Sequence, residues 1–192
     1  MKKTYAIIIS IAIIAVGAFI FLDLLPAYKE RTASFTVISA TMTPATSTLK
    51  LTSSAFAEGG MIPAVYSCTG GNINPPLSIA GVPPVAQSLV LILEDPDAPV
   101  GIWDHWVVFN IDPKTIAIAE GKEPDGTAGM GSSGKVTYQG PCPPSGTHRY
   151  IFTVYALNTM LALPNGASKN EVVHAMNGHV IGEGQLTGRY SK

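Results

Sequence analysis

Two short stretches of the chain concentrate the side chains that can do chemistry, and prolines stiffen both stretches. The first carries Asp95, Asp97 and His105, and the second carries His148 with Arg149 beside it. Imidazole and guanidinium groups donate hydrogen bonds to oxyanions, and neighbouring carboxylates orient the rings and set their tautomers. If these side chains converge, they suit a phosphate or carboxylate group, or Asp95 accepts a hydrogen bond from a ligand ammonium.

Each of these residues also has a purely structural interpretation. An aspartate in a proline-containing turn is commonly a turn former, which applies to Asp97 taken alone. His105 stands between aromatic residues and could be a core histidine whose ring nitrogens are satisfied within the protein. Arg149 could pair with Asp97 as internal support, and this pairing is the interpretation that we favour for Arg149.

Two other chemistries fit these residues less well. Histidine and aspartate bind zinc, but no two candidate ligands have the local spacing of a helical or knuckle site, so we expect no metal and no cofactor. Ser145 lies near His148, but the sequence has no Gly-x-Ser-x-Gly elbow of the serine hydrolases. We therefore expect a binding protein and not an enzyme.

Buried strands must position the two stretches. Leu89–Leu93 is an apolar run long enough for a buried strand, Trp106–Phe109 is a second, and Arg149–Leu157 alternates as a third. Pro96 and Pro99 end the first strand, because proline lacks the backbone N–H that a strand ladder needs. The 19 glycines and 15 prolines punctuate such apolar runs, which favours an all-β domain with many turns.

One helix is predicted near the C-terminus. Ser168 and Glu171 have the spacing of a capping box, and Gly178 ends the helix. Four further short strands are predicted, over Leu49–Thr52, Met61–Tyr66, Lys135–Tyr138 and His179–Leu186.

The N-terminal residues differ from the rest of the chain. Lys2 and Lys3 precede an apolar run from Tyr5 to Leu22, and a membrane helix needs about 20 such residues. We expect residues 1–25 to be an uncleaved signal anchor; a cleaved signal peptide or a buried helix are the alternatives. Residues 26–48, rich in Thr, Ser and Ala, would tether a domain over residues 49–192. The domain would then lie outside the cell membrane, or be secreted or periplasmic after cleavage.

Charge and cysteine content narrow the function further. The formal net charge of −1 gives no reason to expect nucleic-acid binding. Cys68 and Cys142 allow one disulfide, and the residues alone leave open whether they are bridged or free.

Three motifs occur in a defined order: DPDAP at residues 95–99, DHW at 104–106 and GPCPPSGTHRY at 140–150. Together they resemble the phosphatidylethanolamine-binding protein family, in its bacterial and archaeal Raf-kinase-inhibitor-like branch. The resemblance extends from about Leu49 to the C-terminus, where GHVIGEGQLTGRY is similar to the family ending. It implies a β-sandwich with Greek-key-like antiparallel sheets, a few short helices and a small anion pocket.

The resemblance also implies the pocket residues and the ligand. In the family the pocket takes phosphate-type groups, including phosphorylethanolamine. The Cys68/Cys142 pair is shared by many prokaryotic members, which implies a bridge between two pocket loops. Two acids of the family pattern are missing from the loop at 69–76, which weakens any ammonium site. By motif position the pocket is lined by Asp95, His105 and His148, with Pro141 in the wall and Asp97 and Tyr138 close by.

These inferences lead to one expected function and two alternatives. We expect a membrane-tethered module that binds a phosphate monoester or a phospholipid headgroup. The alternatives are an inhibitor or signalling module acting on a protease or kinase, for which the family offers precedent, and a small hydrolase. The expected partners are a small anionic ligand or lipid headgroup, the membrane through the N-terminal helix, and a protein partner in the inhibitor alternative.

Overall fold

Two β-sheets and one α-helix make up the regular structure of residues 47–192, the part of the chain that the computed structural model describes. A short 3-10 turn spans Ala64–Tyr66. The elements are β1 Ser47–Thr48, β2 Lys50–Thr52, β3 Leu77–Ala80, β4 Ser88–Asp95, β5 Trp103–Ile111, β6 Ala117–Ile118, β7 Thr127–Ala128, β8 Thr147–Leu157, α1 Lys169–Met176 and β9 Val180–Ser191.

The larger sheet has the strand order β1-β9-β8-β4-β5-β7, and the smaller one has the order β2-β3-β6. Every pair in both sheets is antiparallel except β1 with β9, which is parallel. The apolar run Leu89–Leu93 lies at the centre, because β4 pairs with β8 on one side and with β5 on the other.

The larger sheet is buried on both of its faces. Because successive side chains of a strand point to opposite faces, Leu91 and Leu93 contribute to the core shared with the smaller sheet, whereas Val90 and Ile92 face the other way. That second face packs against α1 and its flanking loops. Burial on both faces explains why residues 89–93 are all apolar and do not alternate.

Helix α1 begins at the predicted capping box. The Ser168 hydroxyl accepts a hydrogen bond from the Glu171 N–H at 3.3 Å, and the Glu171 carboxylate accepts one from the Ser168 N–H at 2.8 Å. Lys169, in the first turn, places its Nζ atom 2.7 Å from Glu94 Oε1 and 3.0 Å from Asp104 Oδ1. These ion pairs connect the helix to the adjoining strands β4 and β5.

The predicted fold class is wrong in its helical part. Residues 47–192 contain one α-helix, and its eight residues span about 12 Å, against about 30 Å for the apolar core of a bilayer. No helix in this part of the chain is long and apolar enough to cross a membrane. The predicted anchor at residues 1–25 lies outside the described residues. The predicted location at the cell membrane depended on that helix and is withdrawn with it.

Two of the predicted strands are not strands. The segment Met61–Tyr66 forms one bridge at Met61 and then the 3-10 turn, because Pro63 cannot donate to a ladder. The segment Lys135–Tyr138 is irregular, since the Tyr138 N–H donates to the Glu123 carboxylate and not to a neighbouring strand.

Candidate functional site

The two stretches that carry the predicted chemistry meet at one end of the larger sheet. Strand β4 ends at Asp95, and its antiparallel neighbours β5 and β8 begin beside that end. Asp95, His105 and His148 are all buried there. The Nδ1 atom of His148 lies 2.8 Å from Asp95 Oδ2, across 53 positions of the sequence.

A β-bulge sets the direction of His105. Leu93 pairs with Trp106 and Glu94 pairs with Asp104, so His105 is the extra residue on β5 at this step. Its ring packs edge-to-face on the Tyr150 ring, with the centroids 5.3 Å apart. The bulge thus places His105 beside Tyr150 on the inner face of the sheet.

The hydrogen bonds of His105 fix its tautomer. Its Nδ1 atom lies 2.9 Å from the Gln139 carbonyl oxygen, and since a carbonyl only accepts, Nδ1 carries the hydrogen. In the neutral ring, Nε2 is then an acceptor. Burial lowers the pKa of His105, although the Gln139 carbonyl and the nearby Asp95 and Asp104 carboxylates oppose that shift.

Asp95 is held by two donors. Its Oδ1 accepts a hydrogen bond from the Asp97 N–H at 2.9 Å, and its Oδ2 accepts one from His148 Nδ1. These bonds offset the desolvation of a carboxylate that is only 3% exposed. Asp95 in turn fixes the orientation of the His148 ring.

Asp97 and Arg149 form the predicted pair. Arg149 donates from Nε to Asp97 Oδ2 at 2.9 Å and from Nη2 to Asp97 Oδ1 at 2.7 Å. The Arg149 backbone N–H also donates to Asp97 Oδ2, at 2.9 Å. The hydrogen bonds from Arg149 lower the pKa of Asp97 to about 2.

Two hollows adjoin at the Asp95–His148 hydrogen bond. The first, which we call the Asp95 hollow, has a volume of about 250 Å³. The second, which we call the arginine hollow, has a volume of about 580 Å³. His105 lines the first hollow and His148 lines the second. The Asp95 hollow is lined by Asp95, Ala98, Pro99, Val100, Trp103, His105, Cys142 and Pro144. The arginine hollow is lined by Asp97, Ser145, Gly146, Thr147, His148, Arg149 and Arg189.

Two residues that the sequence placed at the pocket line neither hollow. Tyr138 is buried in the core, where its hydroxyl donates to the Tyr66 carbonyl at 2.9 Å and burial raises its pKa. Pro141 is also buried, and its carbonyl accepts a hydrogen bond from the Cys68 N–H at 3.1 Å. Pro144 takes the place in the wall that was predicted for Pro141.

Cys68 and Cys142 form a disulfide with their Cα atoms 5.4 Å apart. The bridge connects the loop after the 3-10 turn to the proline-rich loop over residues 140–146. Cys142 itself lines the Asp95 hollow, so the bridge holds part of the hollow's wall.

Two aromatic residues of the site were not among the predicted pocket residues. Trp103 pairs with Asp95 in the strand register and lines the Asp95 hollow. Tyr150 is buried beside Asp95, and no acceptor in residues 47–192 has good hydrogen-bond geometry with its hydroxyl. Burial and the Asp95 charge raise the pKa of Tyr150. Its position two residues after His148 on one strand is the sequence signal that could have found it, since such residues share a face.

Comparison with known proteins identifies the class of protein to which this chain belongs. The family model described as phosphatidylethanolamine-binding protein matches residues 52–191. The chain therefore belongs to the phosphatidylethanolamine-binding protein family, as its motifs predicted. The UPF0098 protein of Methanothermobacter thermautotrophicus is 51% identical over 150 residues, which are 75% of this chain and 99% of that protein.

Two solved structures share the fold. CT736 from Chlamydia trachomatis, named as a homolog of phosphatidylethanolamine-binding protein, has a TM-score of 0.74 and 43% identity, covering 77% of this chain and 99% of that one. YbcL from E. coli, described as a member of the mammalian PEBP family, has a TM-score of 0.70 and 29% identity, covering 75% of this chain and 98% of that one.

Proposed function

We propose that this protein is a binding module that holds a phosphate-type anion in the Asp95 hollow. The observation that supports it is the convergence of Asp95 and His105 at the base of a small hollow with a largely apolar wall. Membership of the phosphatidylethanolamine-binding protein family supports the same ligand class. The ligand would be a phosphate monoester or a lipid headgroup, with phosphorylethanolamine as the reference compound.

The site accommodates a negative ligand beside a carboxylate because Asp95 is already engaged. Its two oxygens already accept hydrogen bonds from His148 Nδ1 and the Asp97 N–H, which stabilise its negative charge. His105 offers Nε2 to the ligand, since its Nδ1 is held by Gln139. A phosphate that carries one proton can donate it to Nε2, and a fully ionised anion requires the ring to be protonated. The apolar wall would contact the organic part of a monoester.

We also propose that binding occurs without turnover. Within residues 47–192, neither His105 nor His148 is hydrogen-bonded to a serine or threonine hydroxyl. Ser145 lies exposed in a turn, and His148 directs its Nδ1 to Asp95. In the same part of the chain, no three His, Cys, Asp or Glu side chains group as metal ligands.

Calorimetric titration with phosphorylethanolamine tests the proposed function. We expect saturable binding to the wild-type protein. We expect His105→Ala to lose the binding that belongs to the Asp95 hollow, measured in an Arg189→Gln background so that the arginines of the other hollow add no binding. The matched control is His174→Ala, which removes an exposed histidine of α1 and should bind as the wild type does. Failure of both phosphorylethanolamine and inorganic phosphate to bind at millimolar concentration, or equal binding by His105→Ala, would overturn the proposal.

A further inference from the structure

The arginine hollow contains a charge arrangement that is unfavourable without a ligand. Residues 47–192 contain two arginines, Arg149 and Arg189, and these stand directly opposite each other on β8 and β9. Directly opposed residues of an antiparallel pair have Cβ atoms about 4.5–5.5 Å apart, and like charges there are destabilising. Packing gives no reason for this pair, because both side chains are exposed.

Only one of the two positive charges is neutralised within the described chain. Asp97 uses both carboxylate oxygens on Arg149. No ion pair joins Arg189 to any carboxylate of residues 47–192. The guanidinium of Arg189 is therefore the charge of this hollow that has no ion-pair partner within these residues; Asp95, which also acts on Arg149, lines the other hollow.

Hydrogen-bond donors surround this charge. Thr147 is two residues before Arg149 on β8 and lies on the same face, opposite Ser191 of β9. Ser145 and Thr147 bring hydroxyls to the hollow, and Gly146, with φ of 71°, turns the chain between them. Asp97 holds Arg149 in place by accepting hydrogen bonds from its Nε and Nη2 atoms. The N–H groups on the other edge of the guanidinium can donate to another acceptor.

We propose that the arginine hollow is a second anion site, distinct from the Asp95 hollow, that binds a dianionic phosphate monoester between Arg149 and Arg189. Guanidinium groups match the geometry of phosphate oxygens, and two of them with hydroxyl donors suit a tetrahedral dianion. The exposed position of the hollow allows the phosphate to belong to a free metabolite or to a phosphorylated side chain, and both present the same chemistry.

The test is calorimetric titration of the full-length protein with O-phosphoserine and with a phosphoserine peptide. We expect Arg189→Gln to weaken binding at least about tenfold, because charge-assisted hydrogen bonds are lost. The charge-matched control, Lys114→Gln, removes an exposed cation outside the hollow and should bind as the wild type does.

The two ligands identify the source of the phosphate. Tighter binding of the peptide would identify a phosphorylated protein as the source, and equal binding would identify a free monoester; either result supports the site.

A second pair of variants separates the two hollows. O-phosphoserine is a phosphate monoester and can also bind the Asp95 hollow, so Arg189→Gln is tested in a His105→Ala background. His105→Ala alone should keep phosphoserine binding at the arginine hollow, and the double variant should lose it. Loss of all phosphoserine binding in His105→Ala alone would assign the ligand to the Asp95 hollow and overturn this site. Equal weakening by Lys114→Gln would show general charge attraction and also overturn it.

Thermal unfolding in phosphate-free, low-salt buffer provides an independent readout. Arg189→Gln should leave Tm unchanged or raise it, because it removes a cross-strand repulsion. A lower Tm with unchanged phosphoserine affinity would give Arg189 a structural role and overturn the proposal.

Discussion

His105 has one ring nitrogen bonded to the Gln139 carbonyl, and its Nε2 is the atom that we propose binds the ligand. Sequence reasoning identified this residue because it follows a proline-stiffened turn beside a strand. It could not identify the bulge, since the extra residue becomes visible only when the register of β5 against β4 is known. The pairing of Asp97 with Arg149 was predictable from the residue types alone, whereas the buried Tyr150 beside Asp95 was overlooked.

Sulfate binding should become tighter as pH falls from about 8 to about 5, because this anion does not titrate near neutrality and needs a protonated His105. Burial lowers the pKa of His105, so the gain should continue below the ordinary histidine range. Calorimetry across this pH range checks the prediction, with His105→Gln as the variant that should show no such trend. A flat pH profile for the wild type would contradict it.

The Asp97–Arg149 pair should stabilise the fold over most of the pH range. Its contribution is present above the ordinary aspartate pKa of 3.8 and is lost as pH falls through about 2. Asp97→Asn should therefore be less stable than the wild type at neutral pH, and the difference should shrink in strong acid. Urea unfolding at several pH values measures this, and a difference that persists unchanged at low pH would count against the pair as its origin.

The sequence predicts the strands and the helix well, but it predicts the loops poorly. The three strands at the site follow from apolar runs, and α1 follows from its capping box, because these signals are local. The segment Lys135–Tyr138 has a strand-like composition. Its Tyr138 N–H nevertheless donates to the carboxylate of Glu123, 15 residues earlier, and not to a neighbouring strand. Which wall proline lines the hollow is not visible in the local sequence either: Pro141 is buried, and its carbonyl accepts a hydrogen bond from the Cys68 N–H.

Reduction of the Cys68–Cys142 bridge should destabilise the fold and weaken ligand binding together. The bridge spans 74 positions, and the chain-entropy model assigns about 4–5 kcal/mol to a loop of this size. Urea unfolding of the double variant Cys68→Ser/Cys142→Ser, compared with oxidised and reduced wild type, measures the first effect. Equal stability of oxidised and reduced protein would show that the loops hold without the bridge.

Ser168→Ala should lower the free energy of unfolding by about 1 kcal/mol, because helix α1 loses its N-cap. Ser54→Ala, at an exposed loop position, is the matched control and should change stability little. An equal effect of the two substitutions in urea unfolding would mean that the cap is not a source of stability.

At the scale of the whole molecule, the larger sheet carries the Asp95 hollow at one end of its strands and helix α1 on one of its faces. Glu94 and Asp104 adjoin Asp95 and His105 in the chain, yet they pair with Lys169 of the helix. The sequence predicted the strands and the helix separately, but not that one lysine would reach both carboxylates. That contact depends on how the helix packs over the register of β4 and β5, and no local pattern encodes it.

This lysine lies behind the pocket and compensates negative charge close to the imidazole of His105. With Lys169→Met, the uncompensated Asp104 carboxylate would favour the imidazolium form, and the pH dependence of sulfate affinity should move upward. An amino acid that never touches the ligand would thus set the acidity at which the protein captures it. Relatives with a different residue at this helix position would then bind the anion over a different pH range with the same binding residues.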